Sequence, residues 1–168
     1  MITFITPSYT LGTGVPPVRN QLYKTGAAII RGTPLIYDTG ELTIAAATPV
    51  AGIVGIALQA AGTAPGYDQM NSPTVNTGRS QKISFAKAIA TTVFASKLVN
   101  NTLNGTFIAP AVADIGVNYG LLKQTSVVTG VWCLDRNLTG GSACATVVDI
   151  DTINNIIYWV FLPASITN

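Results

Sequence analysis

The sequence predicts an all-β protein: one domain, an antiparallel sandwich or barrel, with an extended N-terminal arm. Three observations carry this. From Gln21 onward, short β-type runs alternate with turn signals. Residues 1 to 20 hold Pro7, Gly12, Gly14, Pro16 and Pro17, spaced so that neither a helix nor a long paired strand can propagate. A length of 168 residues is about that of one domain.

Each element follows from its own residues. The arm, residues 1–20, carries Ile2, Phe4, Ile5, Tyr9, Leu11, Val15 and Val18, so it is unlike a solvated linker. It either lies in a groove on a neighbour or forms an edge strand of its own domain. In the body, residues 21–168, strands are expected at Ala27 to Ile30, Pro34 to Tyr37 and Leu42 to Ala45. Arg31-Gly32-Thr33 and Asp38-Thr39-Gly40-Glu41 separate them; glycine supplies the positive φ of tight turns, and Asp38 can bond the backbone ahead of it. Ile53 to Leu58 is a further strand, and residues 59 to 80 read as a long loop. Lys82 to Val99 fits both periods, but the β-branched run at Ala90 to Phe94 favours strands, with room for a short helix near Ala95 to Val99. Asn104-Gly105 suits a hairpin turn. Tyr119 to Leu122, Val131 to Leu134, Ala143 to Asp151 and Ile156 to Leu162 complete the set. The last run lacks polar alternation, which predicts a central strand covered on both faces.

Composition narrows function. Charged residues make up only 10% of the chain, against roughly a quarter in ordinary soluble domains. A surface so neutral works against solubility as a free monomer, so part of it is expected to be covered in the working state. Nine basic and seven acidic side chains leave a net charge of +2, with no basic block to neutralise phosphates, so nucleic acid is not an expected partner. Histidine is absent, which excludes Ser-His-Asp and Cys-His nucleophiles and the His-containing zinc motifs. The N-terminus has neither the positive start nor the apolar stretch of a secretion signal. The uncharged stretch from Leu42 to Tyr67 is long enough to cross a bilayer, but Pro49, Gly52, Gly55, Gln59, Gly62 and Pro65 interrupt it, so no membrane span is expected.

Few residues offer chemistry. Asp149 and Asp151, two apart on an expected strand, would project from one face as a carboxylate pair or a cation site; a solvated strand face explains them better. Cys133 and Cys144 flank a turn segment and are placed where a hairpin could bridge them, although reduced, buried thiols fit a chain without a secretion signal. Trp132, Tyr158, Trp159 and Phe161 could form a sugar platform, but they sit in the most apolar runs and read as core. Gly12-Thr13-Gly14 is too short for a dinucleotide fingerprint. Lys82, Lys87 and Lys97 stand singly, as solvated charges do. No catalytic, cofactor or metal residue is assigned.

Three patterns resemble the small capsid decoration, or cement, proteins of tailed bacteriophages. The first is Gly26-Ala-Ala-Ile-Ile-Arg-Gly32-Thr-Pro-Leu-Ile-Tyr-Asp-Thr-Gly40 followed by Ile53-Val-Gly-Ile-Ala57. The second is Ala113-Asp114-Ile115-Gly116-Val117-Asn118-Tyr119-Gly120-Leu121 and then Val131-Trp132-Cys133-Leu134-Asp135. The third is Val147 to Asp151 before Ile156 to Phe161. The arm and the 59 to 80 loop stand outside the resemblance. It implies a non-enzymatic protein without cofactors that binds the outside of an icosahedral head and bridges major capsid subunits, commonly as a homotrimer. Its place would be the virion surface, and the host cytoplasm during assembly. Ile2, Phe4, Tyr9, Val15 and Val18 are the expected arm anchors, chosen for apolarity, and deletion of residues 1–20 is expected to leave a folded body that no longer binds capsids. Two other readings remain: a virion or fibre head domain binding a host glycan or receptor through Trp132 or Tyr67, and a hydrolase using Asp149 and Asp151.

Overall fold

The computed structural model describes residues 4–12, 14–24, 27–62, 82–100, 106–124 and 131–167. Most of the 59 to 80 loop, Asn104-Gly105, Ile2 and Tyr67 lie outside the described residues. The fold is all-β, as the sequence predicts. Its strands are β1 (Thr6–Thr10), β2 (Val18–Leu22), β3 (Ala28–Ile29), β4 (Pro34–Asp38), β5 (Glu41–Ile44), β6 (Ile53–Ala57), β7 (Ala61–Gly62), β8 (Lys82–Lys87), β9 (Thr92–Ser96), β10 (Leu98–Val99), β11 (Phe107–Ile108), β12 (Asn118–Lys123), β13 (Trp132–Asp135), β14 (Ala145–Asp151) and β15 (Ile156–Phe161). An eight-stranded sheet in the order β1-β9-β15-β14-β12-β13-β10-β11 faces a five-stranded sheet in the order β2-β8-β6-β4-β5, and β3 pairs with β7 as a separate ribbon. Pairing is antiparallel except between β10 and β13, which run parallel.

Alternation along the strands builds the core. Trp132 and Leu134 of β13, Tyr119 and Leu121 of β12, and Ile157, Trp159 and Phe161 of β15 point into the space between the sheets, meeting Ile53, Ile56 and Ala86 of the smaller sheet. Phe94, Trp159 and Phe161 stack there with ring centroids 5.0 to 5.4 Å apart, and the Trp159 indole N–H donates to Ser96 Oγ at 2.9 Å. β15 is central, between β9 and β14. Its inner face is fully buried, whereas Tyr158 and Val160 on the outer face are half-buried, since a tyrosine hydroxyl keeps contact with water.

The smaller sheet curls. Past the end of β2, Tyr23 meets Leu42 of β5 in a parallel bridge, and the Lys24 N–H donates to the Leu42 carbonyl at 2.8 Å. The Tyr37 hydroxyl reaches Gln21 Oε1 at 2.8 Å, and Lys24 pairs with Asp38 across the same seam. Leu35, Leu42, Val54, Ile83 and Phe85 are enclosed on this side together with Ile29 and Ala61 of the ribbon. Gly55 permits the close packing: a Cβ there would come 2.5 Å from the Phe85 ring and 2.2 Å from the Ala86 carbonyl oxygen. Sandwich and barrel are thus combined, with a two-sheet sandwich whose smaller layer is nearly closed on itself.

The Asp38 to Glu41 turn forms as the sequence predicts, with Thr39 and Gly40 at φ 51° and 87° and Asp38 opposite Glu41. The Asp38 carboxylate binds Lys24 rather than the turn ahead of it. Where a short helix had room near Ala95 to Val99, the chain instead passes from β9 to β10; Lys97 lies between them and donates to the Asn154 and Asn155 carbonyls at 2.6 and 2.9 Å. Among the described residues no helix is long and apolar enough to cross a membrane, and the stretch from Leu42 to Gly62 contributes β5, β6 and β7.

Candidate docking surface

The N-terminal segment supplies an edge strand to both sheets. β1 pairs with β9 at the rim of the large sheet, and β2 pairs with β8 at the rim of the small one. Leu11, Gly12 and residues 14–17 lie between them, fastened by Leu11 N–H to the Thr91 carbonyl at 2.7 Å, Thr10 Oγ1 to the Gly14 carbonyl at 2.8 Å and Lys87 N–H to the Pro17 carbonyl at 2.8 Å. Gly12 and Gly14, at φ 104° and 141°, make the crossing in backbone conformations closed to most side chains. Pro7, without an N–H, is suited to an edge.

A bulge decides which side chains face out. Pro7 lies opposite Phe94, but Tyr9 lies opposite Val93, so Ser8 is the extra residue and the alternation slips by one. Ile5 therefore points into the core at 0% exposure, whereas Tyr9 turns to the outer face, 38% exposed, its ring centroid 6.3 Å from that of Tyr158. Partial burial, then the nearby Asp149 carboxylate, push the Tyr9 hydroxyl's pKa up. Phe4 is half-buried beside Gly32, whose missing Cβ would lie 2.8 Å from that of Phe4 and 2.9 Å from the Ile5 nitrogen.

Of the apolar anchors chosen from sequence, Tyr9, Val15 and Val18 are exposed, Val15 at 86% and Val18 at 51%; Phe4 packs on the body, and Ile2 lies outside the described residues. Leu11, at 45%, joins the exposed set. Four of the nine large apolar residues exposed among the described residues thus fall within Tyr9 to Val18. Exposed apolar groups gathered on one segment make it the candidate contact surface. Because β1 and most of β2 belong to the sheets, removing residues 1–20 would unpair β9 and β8 and vacate the Ile5 site, so point substitutions are the cleaner probe of this segment.

The remaining candidates are occupied by local structure. Asp149 and Asp151 do share the outer face of β14, opposite Tyr158 and Ile156. Asp151, however, accepts from the Ile153 and Asn154 N–H groups at 2.9 Å and from Asn154 Nδ2 at 2.7 Å, closing the turn into β15. Those bonds, that of the Asn154 side chain foremost, hold its carboxyl below the usual carboxylate range. Asp149 accepts from the N–H of Ile150 next to it. No group of three or more His, Cys, Asp or Glu side chains converges among the described residues. Cys133 faces away from the intersheet core toward Leu122 and Val99, while Cys144 faces into it, and β12 lies between their strands; both are free thiols. Burial pushes both up to about 12, so neither is a ready nucleophile. Trp132 and Trp159 are buried in the core.

One polar cluster had no signal in the sequence. Asp114 is 3% exposed, yet it accepts from the Ala111 N–H at 2.7 Å, the Tyr119 hydroxyl at 2.7 Å, and Arg136 Nε and Nη2 at 3.1 and 2.7 Å. Burial pushes its carboxyl upward, but Arg136, Ala111 and Tyr119 together outweigh burial and hold it below the usual range. Burial, then the bond to Asp114, raise Tyr119 to about 12. The cluster is a clasp between β12, the segment after β13 and the short turn at Val112–Asp114. On the opposite face of β13 from Trp132, Asp135 is fully buried; one oxygen accepts from Asn137 N–H at 2.9 Å, and Oδ2 has no partner among the described residues. No known family model matches the sequence, and no curated protein matches it.

Proposed function

We propose that the chain is a non-enzymatic decoration protein of a tailed-phage head, which binds the outside of the icosahedral shell and bridges major capsid subunits. The observation that carries this reading is the succession of exposed apolar side chains, Tyr9, Leu11, Val15 and Val18, along the one segment that edges both sheets. Low charge supports it as well, because a neutral exterior is suited to being covered. Val15 and Val18 bury in a groove between shell subunits, and the outer side of β2 at Val18 to Asn20 offers backbone groups to a strand of the shell. Pro7 and the bulge at Ser8 blunt β1 against the indiscriminate edge pairing that would aggregate free copies. Assembly as a homotrimer multiplies weak contacts through symmetry, so that separating two capsid subunits also requires stripping the clamp.

The test is co-sedimentation with heads built from the major capsid protein. A Val15→Asp and Val18→Asp double variant should keep the wild-type melting temperature, since both side chains are exposed, and lose at least about tenfold in affinity, as expected for charges placed in an apolar contact. Wild-type occupancy by that variant would refute the reading. A second reading, a virion-surface domain that binds a host glycan, is favoured by one observation: Tyr9 and Tyr158 pair on the outer face beside Asp149, an aromatic and carboxylate combination suited to a sugar. Glycan-array binding lost on Tyr158→Ala would select it.

A further inference from the structure

The curled small sheet does not close along its whole length. Beyond the Tyr37 to Gln21 bond that seals its seam, a cleft of about 290 Å³ opens between the first half of β2 and strands β4, β6 and β8. Its floor is Phe85 and Val54, both buried members of the apolar cluster inside the curl. Arg19, Lys87, Tyr37 and Gln21 stand among its walls. The volume is at the small end of ligand pockets, roughly 300 to 1,000 Å³, and the mouth of a curled or closed sheet is a recurrent place for one.

Charge makes the cleft specific. Among the described residues, no acidic residue lines it. The ion pairs among the described residues are Lys24 with Asp38 and Arg136 with Asp114, which leaves Arg19 and Lys87 without a carboxylate partner among those residues. Lys87 is half-buried against the apolar floor, and Arg19 lies across from it on the neighbouring strand, where Arg19 pairs with Phe85 and the Pro17 carbonyl holds the Lys87 N–H. The nearest acid on β4, Asp38, is already engaged by Lys24. Arg19 and Lys87 thus set two positive side chains beside a floor of phenylalanine and valine. A guanidinium fork grips both oxygens of a carboxylate, and an ammonium adds a point charge.

We infer that this cleft binds a carboxylate carried on a short apolar stem, with the oxygens on Arg19 and Lys87 and the stem over Phe85 and Val54. The carboxylate comes either from a free small acid or from an acidic side chain of a partner segment laid along the open stretch of β2. The inference shares the Val18 to Asn20 stretch of β2 with the proposed shell contact but does not rest on it, since the titration reads carboxylate binding to the protein alone.

The experiment is a titration of the full-length ¹⁵N-labelled protein, followed through its amide resonances, with three probes: hexanoate, hexanol and the capped tripeptide acetyl-Val-Glu-Val-amide. Hexanoate should saturate and shift the amides of Val18 to Gln21, Tyr37 and Phe85 to Lys87, while hexanol at equal concentration should not. Arg19→Gln and Lys87→Gln should each weaken hexanoate about tenfold or more, the loss expected for one charge-assisted hydrogen-bonding partner. Lys87→Arg should retain most of the affinity, and Arg19→Lys, which keeps the charge but loses the fork, should fall between the wild type and Arg19→Gln, which separates loss of charge from loss of structure. Tighter binding of the tripeptide than of hexanoate identifies a partner's side chain as the source, and the reverse order identifies a free acid. Equal binding of hexanol, binding unchanged in the Arg19→Gln and Lys87→Gln double variant, or no saturable shift at these amides with either carboxylate overturns the inference.

Discussion

Replacing Asp114 with Ala would remove the acceptor of four hydrogen bonds at once. The structure separates what each donor loses. The Arg136 side chain is 32% exposed and can turn back to water. Tyr119 is 4% exposed, and its hydroxyl would lose its carboxylate acceptor in a buried place, whereas Ala111 is an exposed residue whose N–H, now 2.7 Å from Asp114, can turn to water. A buried polar group left unsatisfied costs about 1 to 3 kcal/mol, and the larger cost of stranding a buried charge does not arise because Arg136 reaches water. Asp114→Ala should therefore lose about 2 kcal/mol, read as a lower urea midpoint at unchanged slope, or as a fall of about 6 °C in melting temperature for a domain of this size. Acid supplies a second readout. Because the folded pKa lies below the unfolded value near 3.8, the folded state gives up this proton more readily than the unfolded chain does. The clasp's contribution is complete above that value and is lost as pH falls through the folded pKa. Asp114→Asn, which cannot ionise, should lack this part of the acid limb. A loss under about 1 kcal/mol for Asp114→Ala, or an acid limb of Asp114→Asn superimposable on the wild type, would refute the reasoning.

Asp135 should behave oppositely. Burial raises its carboxyl pKa, only partly offset by the Asn137 N–H, so its contribution is greatest below the ordinary carboxylate value and is lost as pH rises through the folded pKa. Asp135→Asn keeps an acceptor for that N–H and should be more stable than wild type in urea at pH 7, the advantage shrinking below about pH 4. Gly32→Ala meets both a φ of 82° and a Cβ approach of 2.9 Å to the Ile5 backbone, and should cost about 2 kcal/mol or more by thermal denaturation. Thr39→Asn places a residue tolerant of positive φ where a β-branched one sits at 51°, and should raise stability by about 0.5 to 1 kcal/mol; a lower melting temperature would contradict the turn geometry.

Local structure was legible because it is written locally. Strands at Pro34–Asp38, Glu41–Ile44, Ile53–Ala57 and Ile156–Phe161 coincide with β-branched runs bounded by glycine, proline or aspartate, and the alternation of Trp132, Cys133, Leu134 and Asp135 sorts them to opposite faces of the sheet. Two-residue strands such as β7 and β11 carry no period of their own and exist only because a partner strand lies alongside. Strand order was not legible either. β9 is central to the union of β1 with β15, yet its near neighbour in sequence, β10, pairs in parallel with β13 at the far side of the same sheet, and Lys97 marks the switch with two hydrogen bonds to a turn more than fifty residues away. Asp114 and Arg136 are 22 residues apart, and no spacing rule links them.

The N-terminal segment shows how a surface escapes a correct reading of its residues. Its apolar side chains were visible in the sequence, and their abundance rightly separates it from a solvated linker. Period-two alternation, however, puts Ile5, Pro7 and Tyr9 on one face, and on that pattern Tyr9 would follow Ile5 into the core. One extra residue, Ser8, sends them to opposite sides: Ile5 anchors the strand between the sheets while Tyr9 emerges beside Tyr158. The segment therefore combines two sets of side chains, inward and exposed, that composition cannot separate. Ile5 and the Phe4 contact with Gly32 hold the segment on its own body, and only a segment so held can present Tyr9, Leu11, Val15 and Val18 in fixed positions, with little ordering entropy left to lose when a partner covers them.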